Sequence, residues 1–189
     1  MLYNSFPYLT TPPTSPAISE EIARKWLRLE TGVTDADTDV IEMCVASAVA
    51  TFERFTGLQV MEGGFTWMLD FFPVSIEKAP NVQNIIIEYK TDRLATEWTV
   101  LDATKYQFYQ EGFRQNCIYY GSDATALKPV IVRVKFKAGY TNSNEIPADW
   151  LMPIRAILAE VWDNRMDGLG DKMRFSEKLM MNYAIFAVR

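Results

Sequence analysis

From residue 19 onward the apolar positions step in threes and fours, then in twos, then in threes and fours again. Ser19 followed by Glu20 and Glu21 is an N-cap with acidic residues in the first turn. It predicts a helix over Ser19–Glu30, with Ile22, Trp26, Leu27 and Leu29 apolar and Gly32 just past its end. A second helix is predicted over Asp37–Thr56, because Ile41, Cys44, Val45, Ala48, Val49, Phe52 and Phe55 recur at helical spacing and Gly57 stops them. From Leu58 the period changes. Phe65–Leu69, Ile85–Tyr89, Trp98–Leu101, Tyr106–Tyr109, Cys117–Tyr120 and Val130–Phe136 are short β-branched or aromatic runs separated by Asn, Asp, Gly and Pro. In the last run Val130, Val132, Val134 and Phe136 alternate with Ile131, Arg133, Lys135 and Lys137, as a strand with one wet face requires. Strands this closely spaced, with no helix between them, predict an antiparallel sheet. Pro147 then suits the first turn of a long helix through Leu151, Ile154, Leu158, Val161 and Trp162, ending before Gly168. Phe175–Tyr183 can add one short helix before the tail Ala184–Arg189.

The expected fold class is therefore α+β: a helical core of three to four helices, with an antiparallel sheet inserted between the second and third. The expected segments are an extended N-terminal arm (residues 1–18), a leading portion of the helical core (19–57), the β insertion (58–145), the returning portion of the helical core (146–174), and a short helix with a docking tail (175–189). The arm is rich in Pro, Thr and Ser and cannot build a core alone. Its aromatic residues Tyr3, Phe6 and Tyr8 predict that it lies along another surface, of its own domain or of a neighbouring copy.

Composition narrows the function classes. The 189 residues are 49% hydrophobic and 23% charged, which fits one globular core with a sizeable insertion. The formal charge of −5 opposes binding by phosphate neutralisation, but not enclosure of DNA without gripping it. No apolar run is long enough to span a membrane, and the N-terminus lacks the basic start and apolar run of a signal peptide. Cys44 and Cys117 read as free, small, buried hydrophobes.

Candidate chemistry is thin. Without histidine, the chain lacks the commonest general base and the commonest transition-metal ligand. Asp35, Asp37 and Asp39 open like a calcium loop, but Val40 and Ala46 stand where its glycine and closing glutamate belong, so the run reads as a helix cap. Glu160, Asp163 and Asp167 share one helix face and could hold Mg²⁺ or act as an acid/base pair; a solvated face or intersubunit ion pairs is the plainer reading. Arg133, Lys135 and Lys137 form a basic row that reads as the wet face of a strand rather than a nucleic-acid contact. No catalytic residue, metal site or cofactor is expected.

The whole chain resembles the head–tail connectors (adaptor or head-completion proteins) of long-tailed double-stranded DNA bacteriophages. The likeness rests on the capped helix after a Pro-rich lead, the ending Glu53-Arg54-Phe55-Thr56-Gly57, and the strand Trp67-Met68-Leu69-Asp70. It continues through Val132-Arg133-Val134-Lys135-Phe136-Lys137-Ala138-Gly139-Tyr140, Ile146-Pro147, and the helix carrying Trp162, Asn164 and Arg165. Residues 74–121 depart from the family pattern in being longer and more aromatic. The resemblance implies a homo-oligomeric ring of twelve copies, docked beneath the portal protein. Genomic DNA passes through such a ring without sequence-specific binding, and tail or stopper (head-closure) proteins attach below. It places the protein in the neck of a virion assembled in the host cytoplasm. A ring needs two different faces that close by rotation, and the ends of the chain are candidates to reach neighbours. Tyr183, Ile185, Phe186 and Val188 are too apolar for a solvated end, so Met180–Arg189 is expected to dock on the portal or an adjacent subunit. The competing readings are a carboxylate-based metal-dependent hydrolase using Glu160, Asp163 and Asp167, and a soluble binding module that uses its sheet.

Overall fold

The computed structural model describes residues 6–29, 38–76, 80–111, 115–163 and 180. The chain divides into two compact units: one from Met1–Thr14 with Glu62–Gly139, the other from Ser15–Met61 with Tyr140–Arg189.

The first unit is built on a five-stranded antiparallel sheet. In chain order its strands are β1 (Tyr8–Thr11), β2 (Gly63–Leu69), β3 (Gln83–Lys90), β4 (Thr99–Val100), and β7 (Ile131–Ala138); in space they run β1-β2-β7-β3-β4. Between β4 and β7 a separate antiparallel hairpin, β5 (Tyr106–Glu111) with β6 (Gln115–Tyr120), is followed by the one-turn helix α3 (Ser122–Thr125). β7 is central because its alternation gives it one fully buried side: Val132, Val134, Phe136 and Ala138 are all under 4% exposed. They face Phe65, Trp67 and Leu69 of β2, with Phe65 and Phe136 stacked at 5.5 Å. Ile87, Leu101, Ile118 and Ala124 complete this core.

β1 was not among the expected strands, since its four residues show no apolar alternation and all are exposed. What holds it is the partner. Gly63 and Gly64 of β2 carry no Cβ, and a Cβ built on Gly63 would lie 2.7 Å from Leu9 Cδ1 and 3.3 Å from the Thr11 carbonyl. The Thr10 hydroxyl also donates to the Gly64 carbonyl at 3.0 Å. Some of the N-terminal stretch thus lies along its own domain as a sheet edge.

The second unit packs α1 (Glu20–Leu27), α2 (Thr38–Thr56) and α4 (Ala148–Asp163). Ser19 Oγ caps α1 by accepting from the Ile22 N–H at 3.4 Å. α1 is shorter than predicted: Arg28 takes the left-handed conformation (φ 56°), and its N–H and that of Leu29 close onto the Lys25 and Arg24 carbonyls. Its predicted final residue, Glu30, and Gly32 lie outside the described residues. Ile41, Cys44, Val45, Ala48 and Phe52 of α2 and Trp150, Ile154, Ile157 and Leu158 of α4 are buried, and Phe52 and Trp150 meet at 5.7 Å. α4 starts at Ala148, immediately after Pro147, and carries a buried Pro153 in its second turn, where the ring removes one backbone hydrogen bond.

Candidate assembly surfaces

The motif Glu53-Arg54-Phe55-Thr56-Gly57 closes α2. Gly57 adopts φ 75°, a conformation that a side chain disfavours, and its N–H still donates to the Glu53 carbonyl at 2.9 Å. The Thr56 hydroxyl donates to the Phe52 carbonyl (2.7 Å) and accepts from the Leu58 N–H (3.2 Å). The Glu53 carboxylate then accepts from the Val60 N–H and from Gln59 Nε2, both at 2.8 Å, so the chain leaving the helix is pinned back onto it. Arg54 points to solvent.

Tyr140, which ends the second motif, lands beside the first. The Tyr140 N–H donates to the Val60 carbonyl at 3.0 Å, and the Tyr140 ring meets Trp150 edge-on at 5.7 Å. Burial, with the Asp149 and Glu145 charges adding to it, holds the Tyr140 phenol above its ordinary range. Gly139 (φ 109°) gives its N–H to the Pro80 carbonyl. The Pro147 carbonyl accepts from the Trp150 N–H. Trp162 is half-buried near the end of α4, while Asn164 and Arg165 lie outside the described residues. Glu53, Gly57, Tyr140 and Pro147 therefore act as architecture: they fix helix ends and the two passages of chain at Val60 and Tyr140.

The basic row of β7 is neutralised from its own sheet. Arg133 stands directly across from Glu88 of β3, and its Nε donates to one Glu88 oxygen; Lys135 Nζ reaches the other at 3.1 Å. Lys137 Nζ is paired with Glu62 at 2.7 Å. The Trp98 ring covers the cluster, with Arg133 Cζ 4.1 Å and Lys90 Nζ 4.7 Å from its centre. Burial raises the Glu88 carboxyl, but the hydrogen bonds from Arg133 and Lys135 outweigh it and hold the group below the usual carboxylate range. Few cations remain on this row to meet a phosphate backbone. Sequence reasoning saw the row but missed Glu88, Glu62 and Trp98. The available signal was a carboxylate inside the apolar run Ile85-Ile86-Ile87-Glu88-Tyr89, which a half-buried strand accepts only beside a cation.

The β5–β6 hairpin has two unlike faces. Phe108, Ile118, Tyr106 and Tyr120 turn to the core; the Tyr120 hydroxyl donates to the Pro73 carbonyl and that of Tyr106 to the Ile85 carbonyl. Burial raises both phenols, and for Tyr120 the neighbouring Tyr106 adds to the shift. The outer face carries Gln107, Tyr109 and Tyr119, with the two tyrosines in edge-to-face contact at 5.5 Å and exposed. Cys117 shares this face and is half-buried, a correction to its reading as a core residue; Cys44 is buried as expected, and neither thiol forms a disulfide.

Phe6 and Tyr8 are exposed, at 69% and 50%; Tyr3 lies outside the described residues. Met180, expected in a docking tail, is fully buried and offers no surface to a partner; Tyr183, Ile185, Phe186 and Arg189 lie outside the described residues. Of the carboxylates considered for metal, Glu160 is half-buried, Asp163 and Asp39 are exposed, and Asp35, Asp37 and Asp167 lie outside the described residues. Among the described residues, no group of three or more Asp, Glu or Cys is placed to hold a metal ion, and no helix is long and apolar enough to cross a membrane.

Comparison with solved structures gives this architecture a counterpart. A chain from the neck of an empty gene transfer agent particle, computed with C6 symmetry, superposes with a TM-score of 0.71 at 18% identity, over 98% of both chains. The fold is that of a neck chain. A chain from the virion of the native gene transfer agent particle matches equally well, with the same TM-score, identity and coverage. One from the native neck computed with C12 symmetry matches at TM-score 0.61 and 16% identity, over 96% and 97% of the two chains. No family model and no curated protein matches the sequence. The neck-chain fold extends through the aromatic segment 74–121, where the sequence departs from the connector pattern.

Proposed function

We propose that this chain is a structural subunit of a virion neck: a head–tail connector that assembles as a ring of twelve beneath the portal. The ring extends the DNA channel and offers tail or stopper proteins their attachment surface. One observation carries the reading: the fold agrees over nearly the whole chain with a chain from a particle neck, and the sequence motifs resemble those of head–tail connectors. Two features support it. The motif residues serve architecture rather than chemistry, and the large exposed apolar side chains, among them Phe6, Tyr8, Tyr119 and Met152, need partners.

In this reading the tail after Met180 docks on the portal or on an adjacent subunit. Because Met180 is itself buried, it is the anchor from which the tail departs. Removing residues 181–189 should leave a folded protein, with the circular dichroism and melting temperature of the full chain, that no longer joins portal-bearing heads to tails. Normal joining by the truncated protein would reject the docking role.

A further inference from the structure

The middle of α2 carries no charge on any side. Ten residues, Met43-Cys44-Val45-Ala46-Ser47-Ala48-Val49-Ala50-Thr51-Phe52, make nearly three turns without Asp, Glu, Lys or Arg. A surface helix normally keeps charge on its outer face, and one that is apolar all round is normally covered all round. Here Cys44, Val45, Ala48 and Phe52 are buried within the helical unit, but the opposite side is open. Met43 is 72% exposed, and Ala46, Ser47 and Ala50 are exposed beside it. Positions 43, 46, 47, 50 and 54 follow one stripe along the helix.

The stripe is electrically polar from end to end. Asp39 heads it and the exposed Arg54 ends it, while Glu42 and the half-buried Glu53 are both set to one flank. That pattern is complementary to itself when reversed. Two such helices crossing antiparallel near Ser47 set each Met43 over the shallow Ala50 region of the other. They also bring each Arg54 toward the acidic start of the other helix. A parallel arrangement of the same faces would set acid on acid at one end and Arg54 on Arg54 at the other, which disfavours it. Small side chains along the stripe let the two axes approach to about 8 Å, the close end of helix packing.

We infer that the outer face of α2 is an interface for a second copy of this chain, docked antiparallel about a two-fold axis near Ser47. The free subunit is then a dimer. This goes beyond the neck reading and does not rest on it: a two-fold contact is not the repeating contact of a cyclic ring, so the dimer is a state of the chain outside the particle.

The test uses the full chain with Cys117→Ser, which removes the half-buried thiol. Adding Ser47→Cys places one cysteine at the axis, and mild oxidation should link two chains in high yield. Asp163→Cys, on α4, should link poorly under the same conditions. In sedimentation the chain with native Ser47 should show about twice its 21.7 kDa mass, and Ala46→Arg and Met43→Lys, both at exposed positions, should return it to the single-copy value with unchanged circular dichroism. A single-copy mass for the unsubstituted chain, a dimer untouched by both variants, or a dimer that fails to link through position 47 would each overturn the inference. Assaying Ala46→Arg on portal-bearing heads separates this from the neck reading. A monomeric variant that fails there leaves the dimer standing, and a loss of dimer with normal joining leaves the connector role standing.

Discussion

Glu88 takes its role from two cations on the neighbouring strand. It sits 8% exposed beside Arg133 and Lys135, and its carboxyl is held below the ordinary value of 4.5. A carboxyl depressed by folding contributes stability above its unfolded value and loses it as pH falls through its folded value. Glu88→Gln should therefore lower unfolding free energy by about 2 kcal/mol at neutral pH, the usual cost of breaking a mostly buried charged hydrogen-bond pair. The deficit should shrink in acid, so that wild-type and variant unfolding curves measured against pH converge below about pH 4. Parallel curves down to about pH 3 would mean that the charge is not what matters. Gly57 makes a second case. At φ 75° it ends α2, and Gly57→Ala should cost about 1–2 kcal/mol in thermal unfolding. That glycine was readable in the sequence because it follows a helical apolar pattern. Glu88 was not, because its meaning depends on a strand 45 residues away.

At the scale of elements, the strands of the sheet and hairpin were legible where alternation or β-branched runs were strong, as in β7 and β3, and so were the centres of α2 and α4. The edges were not. β1 has no pattern of its own; it is a strand because glycines on β2 leave room for Leu9 and Thr11. Gly63→Val should displace β1 and raise amide hydrogen exchange at the β2 N–H groups that face β1, while those that face β7 stay protected. Unchanged exchange there would show that the close approach is not needed. Pro7 before β1 and Pro12-Pro13 after it keep the edge short, which guards an exposed strand against pairing with others. The hairpin's outward tyrosines were visible as letters but not as a surface, since only the register Gln107↔Tyr119 and Tyr109↔Cys117 puts them on one face. The end of α1 was misread because Arg28, not a glycine, adopts the left-handed turn.

An acidic chain whose β7 cations are tied to Glu88 and Glu62 should hold DNA weakly: filter binding at low salt should retain almost none, with little change as salt rises. Tight, steeply salt-dependent retention would instead favour a DNA-gripping module. The proposed ring belongs to an assembled particle, so no local motif spells it out; the fold shared with a chain of a particle neck over 98% of this chain is what supports it. The most direct test is the native mass of portal complexes mixed with this chain in excess and then freed of unbound protein. A connector ring of twelve makes the portal particle heavier by twelve copies of 21.7 kDa. A portal whose mass is unchanged, with the chain recovered entirely apart from it, would contradict the connector role.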